Sequence, residues 1–208
     1  MAKRSAATKP DLLDLAFQQI AEEGLAGFSR VALARGSGRR LGEVYEEFPR
    51  RSAVLAALGR RIDRAMLAID PAELDGMSVR ERLFELIMRR LEAMAPYRAG
   101  LRRLARESRR EPGLLLQSLC NLDRLVGWLM EAAGIRRGGA LALLAGPALI
   151  AVYVRAFNVW LTDDSPDLAR TLAALDRDLD RLERLAGWVS RRPATRRPAA
   201  PAAEPAGS

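Results

Sequence analysis

Apolar residues recur at intervals of three and four positions through most of this chain, a spacing that predicts amphipathic α-helices. The first predicted helix covers residues 11–23, and its apolar face includes Leu12 and Ile20. Gly24 follows directly, and glycine commonly ends a helix because it adopts a left-handed backbone conformation without strain. The chain therefore begins with an amphipathic helix after a polar segment, residues 1–10, that we expect to be flexible.

Two short helices are predicted next, at residues 30–35 and 39–47, on either side of a Gly-Ser-Gly turn. Ser29 is the expected N-cap of the first, because its hydroxyl group can accept a hydrogen bond from a free backbone N–H. Pro49 is expected to end the second. A packing helix, a glycine-containing turn and a short second helix are typical of a helix-turn-helix, whose second helix enters the major groove of DNA. Residues 11–50 are therefore predicted to be a DNA-binding domain.

The same periodicity predicts six further helices, which makes about nine in all. They cover residues 51–69, 78–94, 96–111, 113–133, 140–161 and 166–190. Strand-forming Val, Ile, Thr and Tyr are sparse, so the predicted fold class is all-α. Residues 51–190 would form a second, larger helical domain. The tail, residues 191–208, is rich in Pro, Ala and Arg without periodicity and is expected to be disordered.

The last predicted helix carries a heptad-like seam, in which apolar residues alternate at spacings of four and three. The seam residues are Leu168, Leu172, Leu175, Leu179, Leu182 and Ala186. A stripe this regular favours pairing with a helix of a second copy of the chain, and its alternative is packing within its own subunit.

The helix at 140–161 contains an apolar run, residues 140–154, that Arg155 closes. A membrane span needs about 20 apolar residues, so we interpret this run as a buried core helix, kinked at Gly146 and Pro147, and expect no integral membrane segment. The start of the chain lacks the apolar stretch of a signal peptide. The expected location is cytoplasmic.

Composition limits the partners and reactions that can be expected of this chain. The chain holds 34 Lys and Arg against 26 Asp and Glu, a net charge of +8, which favours a polyanionic partner such as nucleic acid or an anionic membrane surface. Histidine is absent, which removes His-based acid–base catalysis. The single Cys120 cannot form an internal disulfide and is expected to be an inert core thiol. No residues suggest a catalytic or metal site, so we expect neither an enzyme nor a cofactor.

The helix-turn-helix segment resembles the TetR family of transcription regulators over about 50 residues, and the Gly-x-x-x-Gly-x-x-Tyr-x-x-Phe-Pro spacing from Gly38 to Pro49 is its specific part. The matching positions are Leu12, Ala16, Ala21, Gly24, Ser29, Val31, Ala34, Gly38, Gly42, Val44, Tyr45, Phe48 and Pro49.

The resemblance implies a homodimer that binds a palindromic operator in double-stranded DNA, with a small apolar ligand and the dimer interface in residues 51–190. Tyr45 matches the family's phosphate-contacting tyrosine, and Arg39 and Arg40 open its reading helix. The whole predicted DNA-binding set is Ser29, Arg30, Arg39, Arg40, Leu41, Glu43, Tyr45, Arg50 and Arg51.

Some positions depart from that pattern. Leu41 stands where the family often has a polar or basic residue, and Glu46 and Glu47 stand where it usually has Tyr and His or Asn. A second resemblance covers the carboxy-terminal part, around Trp160 and residues 164–167: it is similar to a TetR-fold, lipid-binding accessory protein of coenzyme Q biosynthesis. Two functions therefore stand open, a ligand-responsive DNA-binding regulator, which we expect to be a repressor, and a lipid-binding helper in ubiquinone biosynthesis.

Two further features have two interpretations each. Six aromatic residues are candidates for lining a pocket between helices, with core packing as the alternative: Phe84, Tyr97, Trp128, Tyr153, Phe157 and Trp160. Arginines at four-residue spacing from Arg98 to Arg110 form either a solvated basic face or a contact surface for anionic lipid.

Overall fold

The computed structural model describes residues 10–108, 112–135 and 140–190, and it omits the side chains of 112–120, 140–143 and 186–190. All of the regular secondary structure in these ranges is helical, which confirms the predicted all-α fold class. The helices are α1 (Leu12–Gly27), α2 (Arg30–Ser37), α3 (Leu41–Glu47), α4 (Arg51–Met66), α5 (Val79–Ala93), α6 (Arg98–Glu107), α7 (Pro112–Ala132), α8 (Ala140–Leu161) and α9 (Ala169–Ser190). Short 3₁₀ helices lie at Pro71–Leu74 and Ala95–Tyr97.

Several sequence predictions concern parts of the chain outside this description. These parts are the tail 191–208, residues 1–9, the whole of Arg110, and the side chains of Cys120 and Ala186.

Gly24 interrupts helix α1 where the sequence predicts an end, and Gly27 is the last residue of the helix. Gly24 has a φ of +77°, and the chain then continues to Gly27 as one further helical turn beyond this kink. The Leu25 N–H that the kink leaves without a helical partner donates to the Glu107 carboxylate of α6 at 3.0 Å. A long-range contact therefore stabilises the break. Local sequence does not show this contact, so it does not predict the helical turn that follows Gly24.

The turn of the helix-turn-helix has the predicted length of three residues, but it lies two residues later, at 38–40 instead of 36–38. Helix α2 extends through Ser37, and Gly38 alone takes the left-handed conformation, with a φ of +64°. Helix α3 begins at Leu41, two residues later than expected. Phe28, Leu33, Val44 and Phe48 are fully buried between these helices, and they belong to one apolar cluster that continues through the core to α9.

A buried ionic network crosses the centre of the larger helical part. The Asp63 carboxylate of α4 accepts from Arg90 of α5 and from Arg124 of α7, with 3.0 Å between the Arg124 Nη2 and Asp63 Oδ2 atoms. The Arg90 Nε also donates to the hydroxyl group of Tyr153 of α8 at 3.0 Å. Burial lowers the pKa of Arg90, but the neighbouring Tyr153 and Asp63 outweigh it and hold that pKa above its ordinary value.

Two arginines of the basic face of α6 are engaged within the molecule. Arg98 donates to the carbonyls of Trp160 and Asp163, and its guanidinium lies 4.9 Å from the centre of the Trp160 ring. Arg102 donates to the Leu161 carbonyl and pairs with Asp164 at 2.8 Å. These two arginines satisfy carbonyls at the carboxyl end of α8, so for them both earlier interpretations of the basic face are wrong.

Helix α9 begins at Ala169 rather than at Pro166, because the preceding turn is organised around a buried carboxylate. Asp163 accepts hydrogen bonds from the backbone and hydroxyl groups of both Ser165 and Thr171, at 2.5–3.2 Å. The Ser165 hydroxyl bond, with those from Thr171, holds the pKa of Asp163 well below its ordinary value, although burial opposes the shift.

Candidate nucleic-acid interface

Two arginines brace the three-helix unit from within. Arg30, at the start of α2, donates to the carbonyls of Phe48 and Pro49 after α3. Arg51, at the start of α4, donates to the Ala26 carbonyl at 2.9 Å. Both residues were predicted to contact DNA. In the structure Arg30 joins α2 to the segment after α3, and Arg51 joins α4 to the end of α1.

Helix α3 presents nearly all of its side chains to solvent. Val44 is its only buried residue, and it packs into the core beneath the helix. Tyr45 is 62% exposed, so its hydroxyl group is open to a partner. Leu41, one turn earlier, is 53% exposed. With one buried residue, α3 leaves a whole face for contact with another molecule.

Three arginines surround the turn between α2 and α3. Arg35 and Arg40 are exposed and Arg39 is half-buried. The sequence prediction missed Arg35, although its position in the last turn of α2, just before the glycine turn, was the available signal. Arg50, exposed at the N-cap of α4, adds a cation at the other end of α3. Cations flank the exposed helix at both ends.

Two predicted contact residues are engaged in helix capping. The Ser29 hydroxyl group accepts from the Ala32 N–H at 3.3 Å, as its predicted N-cap role requires. The Glu43 carboxylate turns back to accept from the Arg40 N–H at 2.7 Å. Glu43 therefore stabilises the start of α3, where a negative charge also complements the helix dipole. Glu46 and Glu47 remain exposed on the helix.

A polar cluster connects this unit to the rest of the protein. Arg61 of α4 donates to Asp11 at 2.7 Å, to Asp14 at 2.9 Å and to the hydroxyl group of Tyr97 at 2.8 Å. The pKa of Asp11 lies below its ordinary value because the Arg61 hydrogen bond, with backbone bonds, outweighs the opposing effect of burial. Close packing reinforces the link, since a Cβ atom built on Gly100 of α6 would lie 2.9 Å from the Phe17 ring of α1.

The six aromatic residues predicted to line a pocket differ in burial and in their neighbours. Tyr97 packs edge-to-face on Phe17 of α1, with 5.3 Å between the ring centres. Tyr153, Phe157 and Trp160 stack in a row along α8. The alternative of core packing is correct for Tyr97, Tyr153 and Trp160, which are buried.

The other two aromatic side chains lie nearer the surface. Trp128 is 44% exposed on α7. Phe84 is half-buried and lines an open groove of about 490 Å³ beside Arg80 and Asp176. A second open groove, of about 390 Å³, lies between α8 and α9. In the described residues no group of three or more Cys, Asp or Glu side chains is placed to hold a metal ion.

The predicted seam of α9 faces its own subunit. Leu175 and Leu179 are buried against the core, and Leu172 and Leu182 pack partly against it. Leu168 lies before the helix begins, with a φ of +54°. The prediction that Leu175 and Leu179 contact a partner subunit is therefore wrong, because their side chains are already covered.

Helix α8 instead carries the uncovered apolar face. Leu144, Pro147, Ala151 and Val154, which we call the α8 stripe, are all exposed and follow at spacings of three and four. The helix runs unbroken through Pro147. By length and apolar composition residues 144–161 would suffice to cross a membrane, and one third of that window is buried in the protein. A core helix of a soluble protein passes the same test, and α8 supplies Tyr153 and Trp160 to this core.

Comparison with solved structures gives the fold. The TetR transcriptional regulator from Nitrosomonas europaea ATCC 19718 superposes with a TM-score of 0.69 at 24% sequence identity, over 85% of this chain and 96% of that one. A transcriptional regulator from Rhodococcus sp. Rha1 superposes with a TM-score of 0.59 at 21% identity, over 85% and 97% of the two chains. A TetR transcriptional regulator from Rhodococcus sp. RHA1 gives a TM-score of 0.56 at 19% identity, over 83% and 92%.

The chain therefore has the fold of the TetR transcription regulators. No family model matches the sequence, and no curated protein matches it.

Proposed function

We propose that this protein is a DNA-binding transcription regulator that reads duplex DNA with α3. The observation that carries the proposal is the exposed face of α3, flanked by arginines and standing second in a helix-turn-helix. Arginine binds phosphate and guanine in bidentate fashion, and exposed Tyr45 offers a hydroxyl group to a phosphate. The function is a binding function and needs no catalytic group.

The acidic residues of α3 oppose DNA binding less than their number suggests. Glu43 is turned back onto the backbone of its own helix. Glu46 and Glu47 lie towards the carboxyl end, away from the arginines at the turn. DNA binding then depends on Arg35, Arg39 and Arg40 rather than on the net charge of the segment.

A homodimer is part of the proposal. Helix-turn-helix proteins bind palindromic operators as dimers whose half-sites lie about one turn of DNA apart. The α8 stripe is an unpartnered apolar face with the spacing of a helix-pairing surface. A second copy of the same stripe would cover it by twofold symmetry.

We further propose that the regulator is a repressor that responds to a small apolar ligand. The two open grooves have volumes within the range of small-molecule sites, and their linings mix apolar side chains, such as Val159 and Phe84, with several charged ones. An effector that binds there would change DNA affinity only by its differential affinity for two conformations of the protein. We do not favour the lipid-binding helper, because the exposed, arginine-flanked face of α3 favours a nucleic-acid partner.

The proposal is tested with matched single-charge variants and a duplex recovered from a random pool by selection for binding. Arg40→Ala removes a cation at the start of α3. Arg64→Ala removes another exposed cation, which lies on α4 about 20 Å from the first residue of that helix. We expect Arg40→Ala to weaken binding about tenfold or more and Arg64→Ala to have little effect. Equal effects of the two variants, or no enriched duplex, would contradict the proposal.

A further inference from the structure

Helix α3 exposes two large apolar side chains. Leu41 and Tyr45 lie one helical turn apart on the same face, and both are more than half exposed. They are two of the eight large hydrophobic side chains exposed in the described residues. An exposed leucine at this point contributes little to the fold, because the core contact of α3 is made by Val44.

Gly42, beside Leu41, leaves one position on the exposed surface of α3 without a side chain. A Cβ atom built on Gly42 would meet nothing within 4 Å, so packing within the chain does not require glycine there. Glycine also lowers helix stability relative to alanine. Its benefit therefore lies outside the subunit: a helix without a side chain at this position can approach the floor of a groove closely.

Few polar groups on this face are placed to read base edges. Glu43 caps the helix, and the arginines nearest the face precede its first turn. In the major groove the base feature that an apolar side chain contacts favourably is the methyl group at C5 of a pyrimidine.

We propose that Leu41 reads the C5 methyl group of a pyrimidine in the major groove, so that sequence preference comes in part from this apolar contact. The methyl group can belong to thymine or to 5-methylcytosine, which present it at the same place. This inference rests on the proposed function, because it names the chemical group that α3 recognises.

The experiment uses the full chain and a selected duplex of about 30 base pairs, enough for two half-sites. In one series each thymine is replaced in turn by deoxyuridine, which lacks only the methyl group. In a second series each cytosine is replaced in turn by 5-methylcytosine. Binding is measured by fluorescence anisotropy for the wild type and for Leu41→Ala, Leu41→Met and Val79→Ala.

We expect one position in each half-site at which loss of the thymine methyl weakens binding by about fourfold, or gain of the cytosine methyl strengthens it by that factor, as for burial of one methyl-sized group. Leu41→Ala should lose this sensitivity, and Leu41→Met should keep it. Val79→Ala, which shortens another exposed apolar side chain at the start of α5, should behave as the wild type.

Two results would overturn the inference while leaving the proposed function intact. One is a selected duplex whose affinity is unchanged at every position in both series. The other is a methyl dependence that persists fully in Leu41→Ala. Failure to enrich any duplex would instead reject the proposed function, and this inference with it.

Discussion

At the scale of single residues, the arginine side chains divide by what they contact. Arg30, Arg51, Arg98 and Arg102 donate to backbone carbonyls. Arg40, by contrast, is exposed beside α3. A sequence shows the charge of an arginine but not the carbonyls that tertiary packing brings to it, which is why the predicted contact set included two bracing residues.

Tyr45→Ala tests the assignment of α3. Since Tyr45 is exposed and contributes nothing to the core, the variant should keep the melting temperature of the wild type. Its DNA affinity should fall about tenfold, because a hydrogen bond to a charged group contributes about 1.5 kcal/mol. Anisotropy titration and calorimetry measure the two quantities. A large drop in melting temperature would show that Tyr45 has a structural role.

Asp63→Ala should destabilise the protein by about 3–5 kcal/mol, because it leaves the buried Arg90 guanidinium without its carboxylate. Urea unfolding measures the loss. The double variant Asp63→Leu with Arg90→Met removes both charges, so it should be more stable than Asp63→Ala alone. If the double variant were the less stable of the two, an uncompensated charge would not be the cause.

At the scale of helices, periodicity predicts where each helix lies, but it does not predict the boundaries and kinks that individual side-chain contacts set. The bounds of α8 agree with the prediction, since its apolar run ends at a polar turn. The kink in α1 depends on Glu107 of α6, and the late start of α9 depends on Asp163 and Thr171. The Glu107 residue lies 82 positions from Leu25, so its contact has no signature in the local sequence. Asp163 and Thr171 are only eight positions apart, and periodicity does not show the turn that joins them. The seam of α9 was recognised correctly as apolar, but a heptad spacing does not say which neighbour it meets.

The turn before α9 predicts a pH dependence. The pKa of Asp163 in the folded protein lies below the ordinary value of 3.8, so its contribution to stability is present above that pH and is lost as pH falls towards the folded pKa. Asp163→Asn should lower the melting temperature at pH 7, and the difference from the wild type should shrink below about pH 4.

The matched control is Asp164→Asn, because the Asp164 carboxyl group is largely exposed and pairs with Arg102 at the surface. It should change the melting temperature little, because exposed ion pairs contribute little. A gap between the wild type and Asp163→Asn that stayed constant from pH 7 to pH 2 would contradict the assigned role.

At the scale of the whole molecule, the central question is how the α8 stripe is covered. Val154→Glu places a charge on this exposed face without disturbing the core. It should shift the protein from dimer to monomer in analytical ultracentrifugation, because desolvating an unpaired charge in an interface is costly. Val79→Glu, at an equally open apolar position on α5, is the control and should leave the dimer intact. Two variants with the same mass distribution as a dimeric wild type would exclude the stripe as the interface.

DNA affinity measured as a function of salt tests the central claim most directly. The wild-type protein is titrated with its selected duplex and with a scrambled duplex between about 50 and 200 mM salt. We expect the logarithm of affinity to fall linearly with the logarithm of salt concentration for both, with the selected duplex still bound at the upper end. Equal, weak binding of the two duplexes, or no binding at the lowest salt, would contradict the account of α3 as a DNA-reading helix.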